Sequence, residues 1–98
     1  MVKNNLSFEC IKGVLFFRIK SISFKKMYFI YNMIKDLGIR NIVINFSKHS
    51  IKNIIIVRIC YLLVKKNDGL LVVCGSIKRK SRDIIVTENE IEALRKFA

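Results

Sequence analysis

The residue types that most often carry catalysis or bind metals are few in this 98-residue chain and widely separated. The only histidine is His49, and the three cysteines are Cys10, Cys60 and Cys74. A zinc site needs ligands at characteristic short spacings, and a histidine base needs partners that orient it. None of these spacings is present, so we expect His49 to make an ordinary hydrogen bond in a loop. Each cysteine has apolar neighbours, which predicts three buried free thiols.

The carboxylates also lack the arrangement of an active site. Asp83, Glu88, Glu90 and Glu92 cluster where the last helix is predicted to begin. Acidic side chains at such a position serve helix capping and the helix dipole. No glycine-rich phosphate loop is present. The sequence therefore predicts a protein that is not an enzyme and that uses no cofactor and no metal.

The charge balance is the strongest compositional signal, with 19 Lys and Arg against 7 Asp and Glu and a net charge of +12. A chain this basic suggests binding to nucleic acid or to an anionic membrane. A second explanation is purely compositional, because lysine, isoleucine and asparagine are enriched together, as in AT-rich coding sequences. The candidate nucleic-acid patch contains six cations: Lys65, Lys66, Lys78, Arg79, Lys80 and Arg82.

The first part of the chain predicts a β-hairpin followed by a helix. Residues 6–20 contain two strand-like runs joined by Lys12-Gly13. A serine in the segment 21–23 can cap a helix over 24–37, and Gly38 can end that helix in the left-handed conformation. The apolar residues at helical spacing predict one buried face: Met27, Ile30, Tyr31, Ile34 and Leu37.

The rest of the chain predicts a βαβ unit and a short terminal βα unit. Apolar runs at 42–46 and 70–75 flank a helical segment, 53–66, as in a sheet of buried parallel strands. A short strand over 83–86 and a capping box from Thr87 to Glu90 precede a last helix that should bury Ile91 and Leu94. The predicted fold is α/β, one domain over 1–98, with the order β-β-α-β-α-β-β-α.

The order and spacing of these elements resemble the STAS family, the domain shared by sulphate transporters and anti-sigma-factor antagonists. Residues 44–47 match the family's third strand, and 68–69, 74–75 and 87–94 match its later turn, strand end and last helix. At the start of the second helix, Asn53 aligns with the family's aspartate. Ile54 and Ile55 align with its two hydroxyl positions, and Ile56 aligns with its glycine.

The resemblance implies a regulatory protein-binding module whose phosphorylation switch is lost. In the family, a hydroxyl at the start of the second helix is phosphorylated, and Ile54 and Ile55 cannot be. A phosphorylation site relocated to Ser50, in the preceding loop, is the alternative, with Lys48 and Lys52 as its nearby donors. By family analogy the partner is a kinase-type anti-sigma factor or a transporter ATPase.

One side of the second helix has the composition of a protein interface. Ile54, Arg58, Tyr61 and Lys65 recur at i, i+4, i+7 and i+11, so they share one stripe. Aromatic, aliphatic and arginine side chains together are typical of binding hot spots. Alternatively, Ile54 and Tyr61 merely border the buried face. The predicted partner-binding set is Asn53, Ile54, Ile55, Arg58, Tyr61 and Lys65.

Two remaining expectations concern the membrane and the compartment. The longest apolar stretch, around 54–64, is short and contains Arg58, which argues against a membrane span. The N-terminal residues carry no cleavable hydrophobic segment, so we expect a cytoplasmic protein.

Overall fold

A computed structural model describes residues 6–48, 50–75 and 84–97, and these residues form five strands and three helices. The elements follow the predicted order β-β-α-β-α-β-β-α, so the predicted α/β fold class is confirmed. Their bounds in chain order are β1 Leu6–Ile11, β2 Val14–Ile19, α1 Phe24–Leu37, β3 Asn41–Phe46, α2 Ile51–Lys66, β4 Leu70–Gly75, β5 Ile85–Thr87 and α3 Glu90–Arg95.

The strands form one mixed sheet in the order β1-β2-β3-β4-β5. β1 and β2 are the predicted antiparallel hairpin, with Ile11 opposite Val14 across the Lys12-Gly13 turn. β2, β3, β4 and β5 run parallel to one another. The carboxyl ends of β2, β3 and β4 therefore meet at one edge of the sheet, and α1 and α2 each begin just beyond that edge.

The sheet is covered on both faces, because side chains of successive strand residues point to opposite sides. Phe17, Ile44 and Val73 belong to a core shared with α1 and α2. Phe16, Val43 and Val72 belong to a smaller core that includes Ala93 of α3. Burial on both faces explains why β3 and β4 read as continuous apolar runs and not as alternating ones.

Helix α1 has the predicted bounds and ends. The Ser23 side chain accepts a hydrogen bond from the Lys26 amide at 3.3 Å, and Gly38 closes the helix at a φ of 61°. Met27, Ile30 and Ile34 are buried as predicted, and Tyr31 is half-buried. The prediction for Leu37 was wrong, since its side chain is exposed. After the turn at Gly38, Ile39 packs against the core in its place.

The chain end departs most from the predictions. Asn89, and not Thr87, caps α3, because its side chain accepts the Glu92 amide at 2.9 Å while Thr87 is the last residue of β5. β5 begins two residues later than expected and ends one residue later, and Asp83 falls outside the described residues. In a helix this short, one position points fully inward, and that position is Ala93. Ile91 lies about 200° around the helix from it and is 69% exposed, so its predicted burial was wrong, whereas Leu94 is half-buried.

Candidate interaction surface on the second helix

Helix α2 begins two residues earlier than predicted. Ser50 is its N-cap, and the Ser50 hydroxyl accepts a hydrogen bond from the Lys52 amide at 3.2 Å. Ser50 is exposed. The proposed relocated phosphorylation site is therefore at the helix terminus itself and not in the loop before it. The hydroxyl already satisfies one of the free amides of the first turn.

Asn53, which the sequence places in the partner-binding set, is 4% exposed. The side-chain Nδ2 of Asn53 donates to the Lys48 carbonyl oxygen at 2.8 Å. That bond links the first turn of α2 to the segment that leaves β3. Asn53 thus positions the start of the helix, and its side chain does not lie on the surface. The apolar residues expected at family hydroxyl positions, Ile54 and Ile55, both reach solvent.

The predicted stripe of α2 is a mixed apolar and cationic surface. Ile54 is 39% exposed, and Arg58 and Lys65 are exposed. Tyr61 is half-buried against the core, and the Lys65 ammonium lies 5.7 Å from the centre of its ring. Tyr61 therefore borders the buried face, as the alternative interpretation held, whereas Ile54 presents its side chain to solvent.

Ile55 lies on the other flank of α2 and faces α1. With Ile59 it lines a shallow groove of about 260 Å³, whose α1 wall contains Phe24, Tyr28 and Tyr31. Residues one apart in a helix differ by 100° in direction, which separates Ile55 from Ile54. The predicted partner-binding set is therefore divided between two surfaces, one on each flank of α2.

The sequence interpretation missed several exposed apolar residues on the helix layer. Ile51 and Leu62 of α2, together with Phe24 of α1, are largely exposed. A helix that is apolar all round is normally buried on every side, and α2 carries Ile54-Ile55-Ile56-Val57 without a break. Successive helical residues point in different directions, so this run already indicated that some of its side chains would be exposed. Five positions of α2 are buried, so the other apolar residues had to lie at its borders or in solvent.

A polar network on the opposite face of the sheet was also not predicted. The Arg18 guanidinium on β2 binds both carboxylate oxygens of Glu90 at 2.8 Å and Glu9 at 2.8 Å. Asn45 of β3 donates to the same Glu90 carboxylate at 2.7 Å. Glu90 therefore does not close the predicted capping box. Hydrogen bonds from Arg18 hold the pKa of Glu90 below its usual value. Partial burial of Glu90 opposes this effect, and the hydrogen bond from Asn45 adds to it.

This network joins β1, β2, β3 and α3 and serves the fold. The side chains of Arg18 and Glu90 are more than half buried, and Arg18 forms salt bridges with both Glu90 and Glu9. Hydrogen bonds to Glu90 and to Glu9 raise the pKa of Arg18 further above its already high value. A paired guanidinium and carboxylate offer neither a free base nor a free anion-binding group.

The cysteines differ from one another more than predicted. Cys60 and Cys74 are buried free thiols, as expected, but Cys10 on the edge strand β1 is exposed. Burial raises the pKa of Cys60 to about 12 and that of Cys74 to about 11. Since the thiolate is the reactive form, both buried thiols should be inert at neutral pH.

We therefore expect one of the three cysteines to be modified when the folded protein meets excess iodoacetamide near neutral pH. Cys10 should react readily, while Cys60 and Cys74 should react only after unfolding. Peptide mass spectrometry before and after addition of denaturant measures this. Equal modification of Cys10 and Cys60 in the folded protein would contradict the placement of these residues.

Metal binding and nucleic-acid binding were also considered from the sequence. Within 6–48, 50–75 and 84–97, no group of three or more His, Cys, Asp and Glu side chains could hold a metal ion. His49 and four cations of the candidate nucleic-acid patch, Lys78, Arg79, Lys80 and Arg82, lie outside the described residues. The other two, Lys65 and Lys66, are exposed in the last turn of α2.

In the same part of the chain, no helix is long and apolar enough to span a bilayer. Comparison with known proteins adds no relative to this description. No family model matches the chain, and no curated protein matches it.

Proposed function

We propose that this chain is a non-enzymatic regulatory module of the cytoplasm that binds a protein partner through the exposed face of α2. The observation that carries the proposal is the stripe of Ile54, Arg58, Tyr61 and Lys65, in which an exposed aliphatic side chain lies beside two exposed cations and an aromatic edge. Such a mixture is typical of the few residues that supply most of the binding energy in protein interfaces.

The resemblance of the sequence to STAS domains supports the same surface. In that family, the start and face of the second helix meet the partner. By this analogy the partner is a kinase-type anti-sigma factor or the ATPase of a transporter assembly. Analogy at the level of a fold is weak evidence for the identity of a partner, so the stripe and not the resemblance defines the experiment.

The proposed docking is constitutive. Ile54 and Ile55 occupy the positions where the resembled family carries its phosphorylatable hydroxyl, and neither side chain can accept a phosphoryl group. Ser50 retains a hydroxyl at the helix terminus, where a phosphate would be stabilised by the helix dipole and by Lys52. Regulation through Ser50 is the variant of this proposal in which the switch has moved by four residues.

The decisive substitution is Ile54→Asp. Burying Ile54 against a partner should contribute about 2 kcal/mol, and an aspartate there would add the cost of desolvating a carboxylate. We therefore expect partner affinity to fall at least roughly a hundredfold. The fold should survive, because an acidic residue in the first turn of a helix is favoured by the helix dipole. A tagged pull-down from nuclease-treated native lysate, followed by titration of the captured protein, measures the effect.

Ile91→Asp is the matched control. Ile91 is also an exposed isoleucine in the first turn of a helix, but α3 lies on the opposite face of the sheet. The control should retain the partner at wild-type affinity. Retention of the partner by Ile54→Asp would show that the stripe is not the docking surface.

The alternative function, nucleic-acid binding by the basic segment around 78–82, predicts a different result. Material captured before nuclease treatment would then be lost after it. Binding would also weaken steeply with salt, since each neutralised phosphate releases counterions. A protein that remains stoichiometric after nuclease treatment and at moderate salt supports the interaction module.

A further inference from the structure

The seam between α1 and α2 is an exposed apolar surface that the α2 stripe does not include. Phe24, Tyr28 and Ile51 are 70%, 68% and 78% exposed. Phe24 and Tyr28 form part of the wall of the shallow groove of about 260 Å³ between the helices. Ile51 lies one turn before Ile55, which lines the same groove. A contiguous patch of exposed apolar side chains is typical of a site that binds a protein or a membrane.

The same two helices carry an almost unopposed positive charge. They contain seven Lys and Arg residues and one carboxylate, Asp36. The Lys52 ammonium lies 5.6 Å from the centre of the Phe24 ring, and that of Lys35 lies 5.8 Å from the Tyr31 ring. Among the described residues, no cation of α1 or α2 forms a salt bridge with a carboxylate. Cations therefore flank the apolar seam and remain available to an anionic ligand.

The acidic groups lie mostly on the other side of the sheet. Glu88, Glu90 and Glu92 belong to the segment around α3, and Glu9 binds Arg18 on that same face. Among residues 6–48, 50–75 and 84–97, the charge is thus polarised across the sheet, with the helix layer of α1 and α2 positive. An extended anionic surface would attract this face and orient the molecule before contact.

The type of cation on these helices favours a membrane over a protein as the ligand of the seam. Six of the seven cations on α1 and α2 are lysines. Lysine is depleted in protein interfaces, whereas lysines beside exposed aromatic and aliphatic side chains are typical of surfaces that lie on anionic bilayers. Tyrosine also favours the boundary between hydrocarbon and water.

We propose that the seam docks this protein on an anionic phospholipid membrane. Phe24, Tyr28 and Ile51 enter the interfacial region, and Lys25, Lys52 and their neighbours contact the headgroups. Around α2, Ile51 lies within about 60° of Ile54 and Arg58, so this surface adjoins the proposed partner-binding stripe. Vesicle binding is measured without the partner, so it tests the membrane proposal by itself.

The test uses the whole chain and vesicles of phosphatidylcholine with or without phosphatidylserine. The chain has no tryptophan, so Tyr28→Trp introduces a single fluorescent reporter at the seam. We expect sedimentation with the phosphatidylserine vesicles only, together with a blue shift in the emission of the introduced tryptophan. A phenyl ring that leaves water on docking stabilises the bound state, so Phe24→Ser should weaken binding at least roughly tenfold. Lys52→Glu should weaken it by a similar factor.

Matched controls lie on the α3 face. Ile91→Ser removes an isoleucine that is as exposed as Phe24, and Lys96→Glu reverses the charge of a lysine as Lys52→Glu does. Both controls should bind the vesicles like the wild type. Absence of vesicle binding would overturn the proposal and leave an acidic protein segment as the occupant of the seam. Vesicle binding without a blue shift, or binding equally weakened by the control variants, would overturn it in favour of nonspecific charge attraction.

Discussion

Replacing Gly69 with alanine should lower the free energy of unfolding by about 3 kcal/mol, because no space exists there for a side chain. A Cβ at this position would overlap the backbone carbonyl of Arg40. That carbonyl accepts the Leu70 amide at 2.9 Å, which begins the pairing of β3 with β4. The alanine must push the two strands apart where their pairing starts. Urea denaturation followed by circular dichroism measures the loss.

Gly38→Ala is the control for this prediction. Gly38 also follows a helix, and nothing lies within 4 Å of a Cβ built on it, but its φ of 61° disfavours alanine. That substitution should cost about 1 kcal/mol. A loss at Gly38 equal to or larger than the loss at Gly69 would contradict the close approach of the α2–β4 turn to β3.

The second large effect concerns Glu90. Glu90→Gln should lower the free energy of unfolding at neutral pH by about 2 kcal/mol, because it removes charge-assisted hydrogen bonds from Arg18. Glu92→Gln on the same helix is the control. Glu92 is an exposed carboxylate 3.4 Å from Arg95, so its loss should cost less than about 0.5 kcal/mol.

The pH dependence of the Glu90 effect has a definite sign. Arg18 and Asn45 hold the pKa of Glu90 below that of a glutamate in the unfolded chain. The unfolded state therefore binds this proton more readily, and the stabilisation from Glu90 is present above the unfolded pKa. It is lost as the pH falls through the lower, folded pKa. The wild type and Glu90→Gln should thus differ at neutral pH and converge in acid, as denaturation at several pH values would show. A constant difference would contradict the ion pair.

The sequence alone was enough to predict an element correctly where the local residue preferences agree with the fold. For α1, the capping serine, the apolar spacing and Gly38 all predict the same helix, and the structure confirms its bounds. The continuous apolar runs at β3 and β4 correctly predict strands buried on both faces. In these elements, each residue preference points to the same structure.

The sequence did not predict the features that depend on contacts between segments far apart in the chain. Glu90 has the spacing of a capping box with Thr87, but Arg18, 72 residues earlier, binds its carboxylate instead. No local pattern links these two residues. Similarly, helical spacing places Arg58 and Lys65 in solvent, but it does not show which of the many apolar residues of α2 face a neighbouring helix. Only the packing of α1 beside α2 shows that Ile55 faces a groove.

Crosslinking from within α2 tests the central claim, that the stripe of α2 contacts a protein partner, most directly. A photoreactive phenylalanine analogue would be placed at position 54, and at position 91 as the control on the opposite face. The account predicts that illumination of native cells joins one protein to position 54 and leaves position 91 without that product. The same product from position 91, or none from position 54 while the pull-down still captures a stoichiometric protein, would contradict it.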